Sequence, residues 1–588
     1  MSSARRCVVR SRRLLAGICS SALAVSLFAA PATAPAATPC STPPPTIPVS
    51  QIHAGMTGVG STVIKGTTVE QFDVEVLGVL PDYIFLGVDI IVMRMTGPAG
   101  LVETTGGAVA GMSGSPVYLN GKLAGALAWA VAEDRRIFGV TAAEDMVGIF
   151  GFEDAAGAAA PANEVPSRVA LSPKVIQAAR ASGSMLTDSA ALESLPVPLG
   201  VSGLAGIPLA DIEQGFADHG MQVSAFRSGS VRAPSAVTID PSPFAPGEGL
   251  GVALSYGDVS YYGFGTTTAV CGDVALGFGH PMFYDPAGKV SLGMTDVNVL
   301  AIDNGTFWGR KIGTIGDTHG VLTQDRFAGV AGVFGMTPTL VPITSDVSSP
   351  DTGLSRHGES QAAWDEAWFV ADLAWYHAFS NFSYVLQSVT PGTIDFAFEI
   401  TGTREDGSPF TVSNRWLETA DYGAAYGTFR LAEIMYALVY NEFEQISFTG
   451  VNVTGSITGE DLTTRIARVR VASPLQPGLK TRSVVRAEPG DKIRVEVTLE
   501  RTDGGPDTVA NLTLRVPAGA RGFEGVRLAG GKGRLDVGRA GSFGALVRAL
   551  SGGDHRNDLI ARGLGRSVSK ALDVEVGGRA SFAVQVVR

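Results

Sequence analysis

Residues 104–130 read TTGGAVAGMSGSPVYLNGKLAGALAWA, and the rest of the chain is best interpreted outward from them. Val117–Leu119 and Lys122–Trp129 are joined by Asn120-Gly121. That dipeptide between apolar runs predicts a hairpin, because both central positions of a type I′ turn need positive φ. Just upstream, Ser113 is flanked by Gly111 and Gly114, and Pro116 ends the turn. A nucleophilic serine needs a tight turn that exposes Oγ and aims backbone N–H groups at a developing oxyanion. Glycine two positions earlier lets the N–H groups of Gly111 and Ser113 converge on one point. The G-x-S-x-G elbow of α/β-hydrolases is not met, since position 115 is serine.

At 588 residues the chain exceeds one core, because single cores stop growing near ~250–300 residues. Hydrophobic residues make up 45% and charged residues 17%, which argues against wholesale disorder. The 74 glycines are roughly twice the usual share and have no collagen period, so a turn-rich, mainly β protein is expected. The formal charge is −11, and it becomes −16 without the five arginines between Arg5 and Arg13. With no basic stripe evident elsewhere, nucleic acid is disfavoured as a partner. Four cysteines without C-x-x-C or Cys/His spacing suggest neither a stapled scaffold nor a metal site. No cofactor is implied.

Residues 1–36 have the layout of a secretory signal, with a basic start, an apolar run from Leu14 to Ala30, and Ala-x-Ala patterns at Ala32–Ala36. No later stretch is long and charge-free enough to span a bilayer. The expected localisation is therefore exported: periplasmic, cell-surface or secreted. After cleavage Cys40 and Cys271 remain, and one disulfide between them is possible.

Residues 37–50 read as a Pro/Ser/Thr linker and 51–152 as short strands. Residues 153–248 read as linker and small α/β connector, and 249–345 as a second Gly-rich β region. Residues 352–450 read as α+β, with a helical stripe at Trp364, Trp368, Ala371 and Trp375 and a strand alternating at Ile394, Phe396, Phe398 and Ile400. That aromatic stripe is the pattern of a packing face. Residues 451–588 read as a β-sandwich-like region with a short helix capped by Ser542.

A nucleophilic serine needs a base. Of seven histidines, His280 alone follows a strand into a tight turn, Gly277-Phe278-Gly279-His280-Pro281. His53 and His319 lack that setting, and His357, His377 and His555 fall in loops or on the helical stripe.

Residues 55–60 (GMTGVG), 63–67 (VIKGT), FDVEVLGVL (72–80) and TGGAVAGMSGSP (105–116) together resemble the stage IV sporulation protein B serine peptidase family. GFGHP (277–281), after YYGFGTTTAV (261–270), resembles that family's histidine segment. The resemblance implies a chymotrypsin-like double β-barrel acting on protein or peptide substrates, with Ser113 as nucleophile and His280 as base. Two departures stand out. The serine half precedes the histidine half, so the halves are permuted, which a two-barrel enzyme tolerates because the triad is defined by geometry. The family's aspartate before the serine motif is absent near Gly97, which leaves Asp296, Asp317 and Asp325 as candidate orienting acids, with Asp325 preferred. A catalytically inactive peptidase-like scaffold that binds proteins is the competing expectation. Self-cleavage within 153–170 is a third.

Overall fold

The computed structural model describes residues 40–82, 87–151, 168–204, 206–234, 242–283, 289–421, 423–535 and 537–587. The expected signal segment 1–36 and most of the 153–170 stretch lie outside them. The described residues form two compact units, one running to Leu340 with Ser360–Trp364, the other comprising Val341–Glu359 and Asp365 onward. The protein is mainly β.

The first unit contains two closed antiparallel barrels. In the first, β1 (Thr57–Val63), β2 (Val69–Leu80), β3 (Ile90–Gly97), β4 (Pro116–Leu119), β5 (Lys122–Val131) and β6 (Ile137–Ala142) run in the order β4-β1-β2-β3-β6-β5, and β4 pairs with β5 to close the ring. Phe72, Val74 and Val76 fall on one face of β2 because side chains alternate along a strand, and they fill the interior with Met93, Leu127 and Phe138. Asn120 (φ 51°) and Gly121 (φ 75°) make the expected hairpin turn.

The second barrel is built the same way. β7 (Gly249–Gly257), β8 (Ser260–Cys271), β9 (Val274–Gly277), β10 (Lys289–Asp303), β11 (Arg310–Arg326) and β12 (Gly329–Phe334) form the ring β7-β8-β9-β12-β11-β10, closed by β10 on β7. This is the architecture of a chymotrypsin-like double barrel, with the serine-bearing barrel first in the chain.

The connector between the barrels contributes a strand to each of them. Ala191–Ser194 pairs with β5 of the first barrel, and Val197–Ser202 pairs with β8 of the second. Leu195-Pro196 therefore carries the chain across. The expected linker before residue 50 also has a packed portion: Ile47 donates its amide to Leu123 O, and Leu123 returns its amide to Pro45 O. Cys40 and Cys271 form a disulfide with Cα atoms 5.0 Å apart, tying this N-terminal segment to the end of β8.

In the second unit, strands Gly392–Arg404, Pro409–Ala420, Ile446–Thr458 and Val341–Ser348 make a sheet packed against helices Ala367–Leu386 and Phe429–Val439. The last of the three consecutive strands crosses the expected boundary at 450. Trp364 precedes the first helix and instead stacks on Phe283 in the double-barrel unit, with ring centroids 4.9 Å apart. The C-terminal region is a sandwich of two five-stranded sheets around Val495, Val497, Leu512, Leu514 and Leu528. Ser542 caps the short helix Phe543–Leu550 by accepting the Ala545 amide.

The disulfide closes a span of 231 residues. Replacing both cysteines by serine is expected to lower unfolding free energy by about 2–5 kcal/mol, chiefly by freeing the unfolded chain. Urea unfolding of the variant against wild type checks this.

Candidate active site between the barrels

Two consecutive turns shape the serine loop. The Met112 amide bonds to Val109 O (2.9 Å) and the Ser115 amide to Met112 O (2.9 Å). Gly111 (φ 91°) and Gly114 (φ 98°) each occupy the third position, where such turns require positive φ. Ser113 is the second residue of the latter turn. A Cβ on Gly114 would lie 1.9 Å from Thr266 O and 2.5 Å from Phe278 N, so only glycine fits there.

That contact shows what holds the loop. Thr266 of β8 donates its amide to Ser113 O (2.8 Å) and its hydroxyl to Gly111 O (3.0 Å), while Thr268 donates to Gly114 O (2.7 Å). The serine loop of the first barrel is thus seated on a strand of the second. The reverse also holds: Thr141 of β6 donates its hydroxyl to Gly279 O (2.5 Å), anchoring the histidine loop of the second barrel on the first. Phe278 (φ 66°) and Gly279 (φ 70°) bend that loop. The positive φ at Phe278, unusual for a side chain of that size, goes with a fully buried ring set edge-on to the imidazole.

These two loops bring His280 Nε2 to 2.8 Å from Ser113 Oγ. His280 Nδ1 lies 2.6 Å from Pro281 O. A carbonyl can only accept, so Nδ1 carries the hydrogen and Nε2 offers its lone pair to the serine hydroxyl. Both residues are buried, at 3% and 4% exposure. Burial lowers the imidazole pKa from 6.5 to about 4, partly countered by the Pro281 carbonyl. The ring is therefore neutral and able to accept a proton at pH 7.

Peptide planarity sets the direction of two amides in the serine loop. Ala110 O accepts the Lys311 amide and Met112 O accepts the Ser115 amide. Because N–H lies opposite C=O in a trans peptide, the N–H groups of Gly111 and Ser113 face the other way. Among the described residues, neither amide donates to a backbone acceptor.

Asp325 is buried one step behind His280. Its carboxylate accepts the amides of Met282 and Phe283, each at 2.8 Å, and so fixes the chain that supplies the Pro281 carbonyl. The position at Nδ1 where a carboxylate was expected holds that carbonyl. Asp296 lies 3.8 Å from His319 instead. His357 bonds Asp346, His377 bonds Ser345, and His555 bonds Asn414.

The sequence reading missed Lys311. It is 1% exposed, and among the described residues its Nζ bonds to the hydroxyls of Thr62 (3.0 Å) and Thr266 (3.4 Å). Desolvation lowers its pKa from 10.5 to about 7. Through Thr266 it backs the Gly111 carbonyl. A single lysine in a strand is ordinarily a solvated residue, so nothing in its spacing singled it out. Thr266 and Thr268 were legible only as alternate positions of TTT in a strand. Among the described residues, no group of His, Cys, Asp or Glu could hold a metal ion, and no helix is long and apolar enough to cross a membrane.

Residues 38–147 match the family model of SpoIVB peptidase S55. The match spans the first barrel and the serine loop and supports a serine peptidase. It ends before the histidine half. No curated protein and no solved structure gives a significant match.

Both buried bases bind protons more weakly in the folded chain than in the unfolded one, so acidification destabilises the fold. Lys311 contributes its loss as pH falls from 10.5 to about 7, and His280 contributes from 6.5 to about 4. The histidine share is about 3 kcal/mol. His280→Gln is expected to flatten the fall in unfolding free energy between pH 6.5 and 4. Lys311→Met is expected to raise stability at pH 7 by roughly a few kcal/mol and to have little effect above pH 10.5. Urea titrations across pH measure both.

Proposed function

We propose that the chain is an exported serine endopeptidase that cleaves peptide bonds with Ser113 as nucleophile and His280 as base. The 2.8 Å contact between Ser113 Oγ and His280 Nε2 carries the reading. Ser113 attacks the peptide carbonyl as its proton passes to Nε2. The amides of Gly111 and Ser113 receive the oxyanion. His280 then protonates the departing amine, and water releases the acyl-enzyme by the same route in reverse. Asp325 positions the histidine loop through backbone amides. A carbonyl at Nδ1 fixes the tautomer but stabilises the imidazolium less than a carboxylate does, so slow turnover is expected. Export is supported by the basic-then-apolar start of the sequence and by the disulfide, which suits an oxidising compartment.

One observation favours a second reading. Ser113 and His280 are both nearly inaccessible, and among the described residues the contact at the imidazole Nδ1 is a carbonyl, as in a peptidase-like scaffold that binds proteins without cutting them.

A fluorophosphonate probe separates the two. The peptidase reading expects covalent labelling of wild type, none of Ser113→Ala, and a rate that holds below pH 6.5 because the imidazole stays neutral to about pH 4. Labelling that survives Ser113→Ala removes the nucleophile assignment, and unlabelled, folded wild type favours the scaffold. Intact mass of wild type beside Ser113→Ala reports any self-cleavage.

A further inference from the structure

The acidic total conceals a basic domain. Residues 451–588 hold 22 Lys and Arg against 14 Asp and Glu, a net of +8, while residues 1–450 carry −19. This corrects the expectation that no basic cluster offsets the acidic whole.

Strand register collects part of that charge on one face of the sandwich. In the sheet containing Gly522–Gly530, Asp558–Gly563 and Arg579–Val586, Arg527 lies directly between Arg562 on one side and Ser581 on the other. In the next row Ala529 lies between Ile560 and Arg579. Val526, Leu528, Ala561 and Phe582 point into the core, so the alternation sends Arg527, Arg562 and Arg579 outward, where they are exposed. Lys532, Arg534 and Arg556 complete a groove of about 1070 Å³ whose walls include no carboxylate residue. Arg562 pairs with Asp554 (2.7 Å) and Arg556 with Glu575 (3.1 Å). Among the described residues, Arg527, Lys532, Arg534 and Arg579 form no ion pair. Like charges placed directly opposite on neighbouring strands destabilise a sheet, so Arg527 set opposite Arg562 does not serve folding.

We propose that this groove binds an acidic polypeptide segment, its arginines taking successive Glu or Asp carboxylates. Guanidinium forks match carboxylates in bidentate fashion. Ile560, Val576 and Ala529 give the walls apolar surface that suits the methylenes of glutamate and offers a bare phosphate chain nothing. No aromatic residue borders the groove, so it lacks the stacking platform of single-strand nucleic-acid sites. The volume suits a short segment. The inference stands apart from the peptidase reading, because the groove lies wholly within the C-terminal sandwich.

The test is fluorescence anisotropy of a labelled octaglutamate peptide on the full chain carrying Ser113→Ala, which keeps the probe intact. Octaglutamate is expected to bind with an affinity that falls as salt rises, and octaglutamine is expected not to bind. Arg527→Gln with Arg579→Gln is expected to weaken binding at least about tenfold. Arg494→Gln with Arg515→Gln, exposed on the other sheet, is expected to leave it unchanged. Absence of binding, equal weakening by both pairs, or displacement of the peptide by polyphosphate of matched charge far more readily than by unlabelled octaglutamate would each overturn the proposal.

Discussion

The Thr266 amide bonded to Ser113 O is the contact on which the site depends. It belongs to a reciprocal set, in which β8 of the second barrel holds the serine turn of the first and β6 of the first barrel holds the histidine turn of the second. Each loop takes its shape from the partner barrel as much as from its own residues. The closest approach falls at Gly114, against Thr266 O and Phe278 N. The groups that bond the loops are backbone carbonyls and amides together with threonine hydroxyls, whose geometry is fixed by strand register. A serine and an imidazole 167 residues apart are thereby set within hydrogen-bond distance.

Histidine orientation is solved in an unusual way for such a pair. The Nδ1 hydrogen is taken by the carbonyl of the next residue, and the buried Asp325 acts on the backbone beyond it. The carboxylate charge is thus coupled to the ring through one peptide, which sets geometry and tautomer at the cost of electrostatic support for the imidazolium. Lys311, buried against hydroxyls, adds a second polar strain to the same interface. Several kcal/mol of desolvation are concentrated where the two barrels meet.

Much of this was legible in the sequence wherever local chemistry determines conformation. Asn120-Gly121, the alternation at Phe72, Val74 and Val76, Ser542 as a cap, and the glycines around Ser113 each encode their own backbone. The serine and histidine turns were readable for the same reason. What was not legible depends on contacts between residues distant in sequence. Nothing near Lys311 marks it as buried, because the hydroxyls of Thr62 and Thr266 reach it only after both barrels close. The Pro281 carbonyl at Nδ1 could not be foreseen from side-chain types at all. The 191–202 stretch looked like a connector because its two strands complete sheets contributed by other parts of the chain. The basic face of the sandwich escaped notice because its arginines are scattered from 527 to 579 and align only through register.

The order of the two barrels along the chain has a consequence for biosynthesis. The Ser113 segment leaves the ribosome well before the His280 segment, and at ~5–20 residues per second the interval is on the order of ten to thirty seconds. Throughout that interval Ser113 has neither the His280 imidazole nor the β8 strand that shapes its turn. In a nascent chain at this stage the Ser113 loop lacks the threonines that seat it, so its folded geometry waits on synthesis of the second barrel.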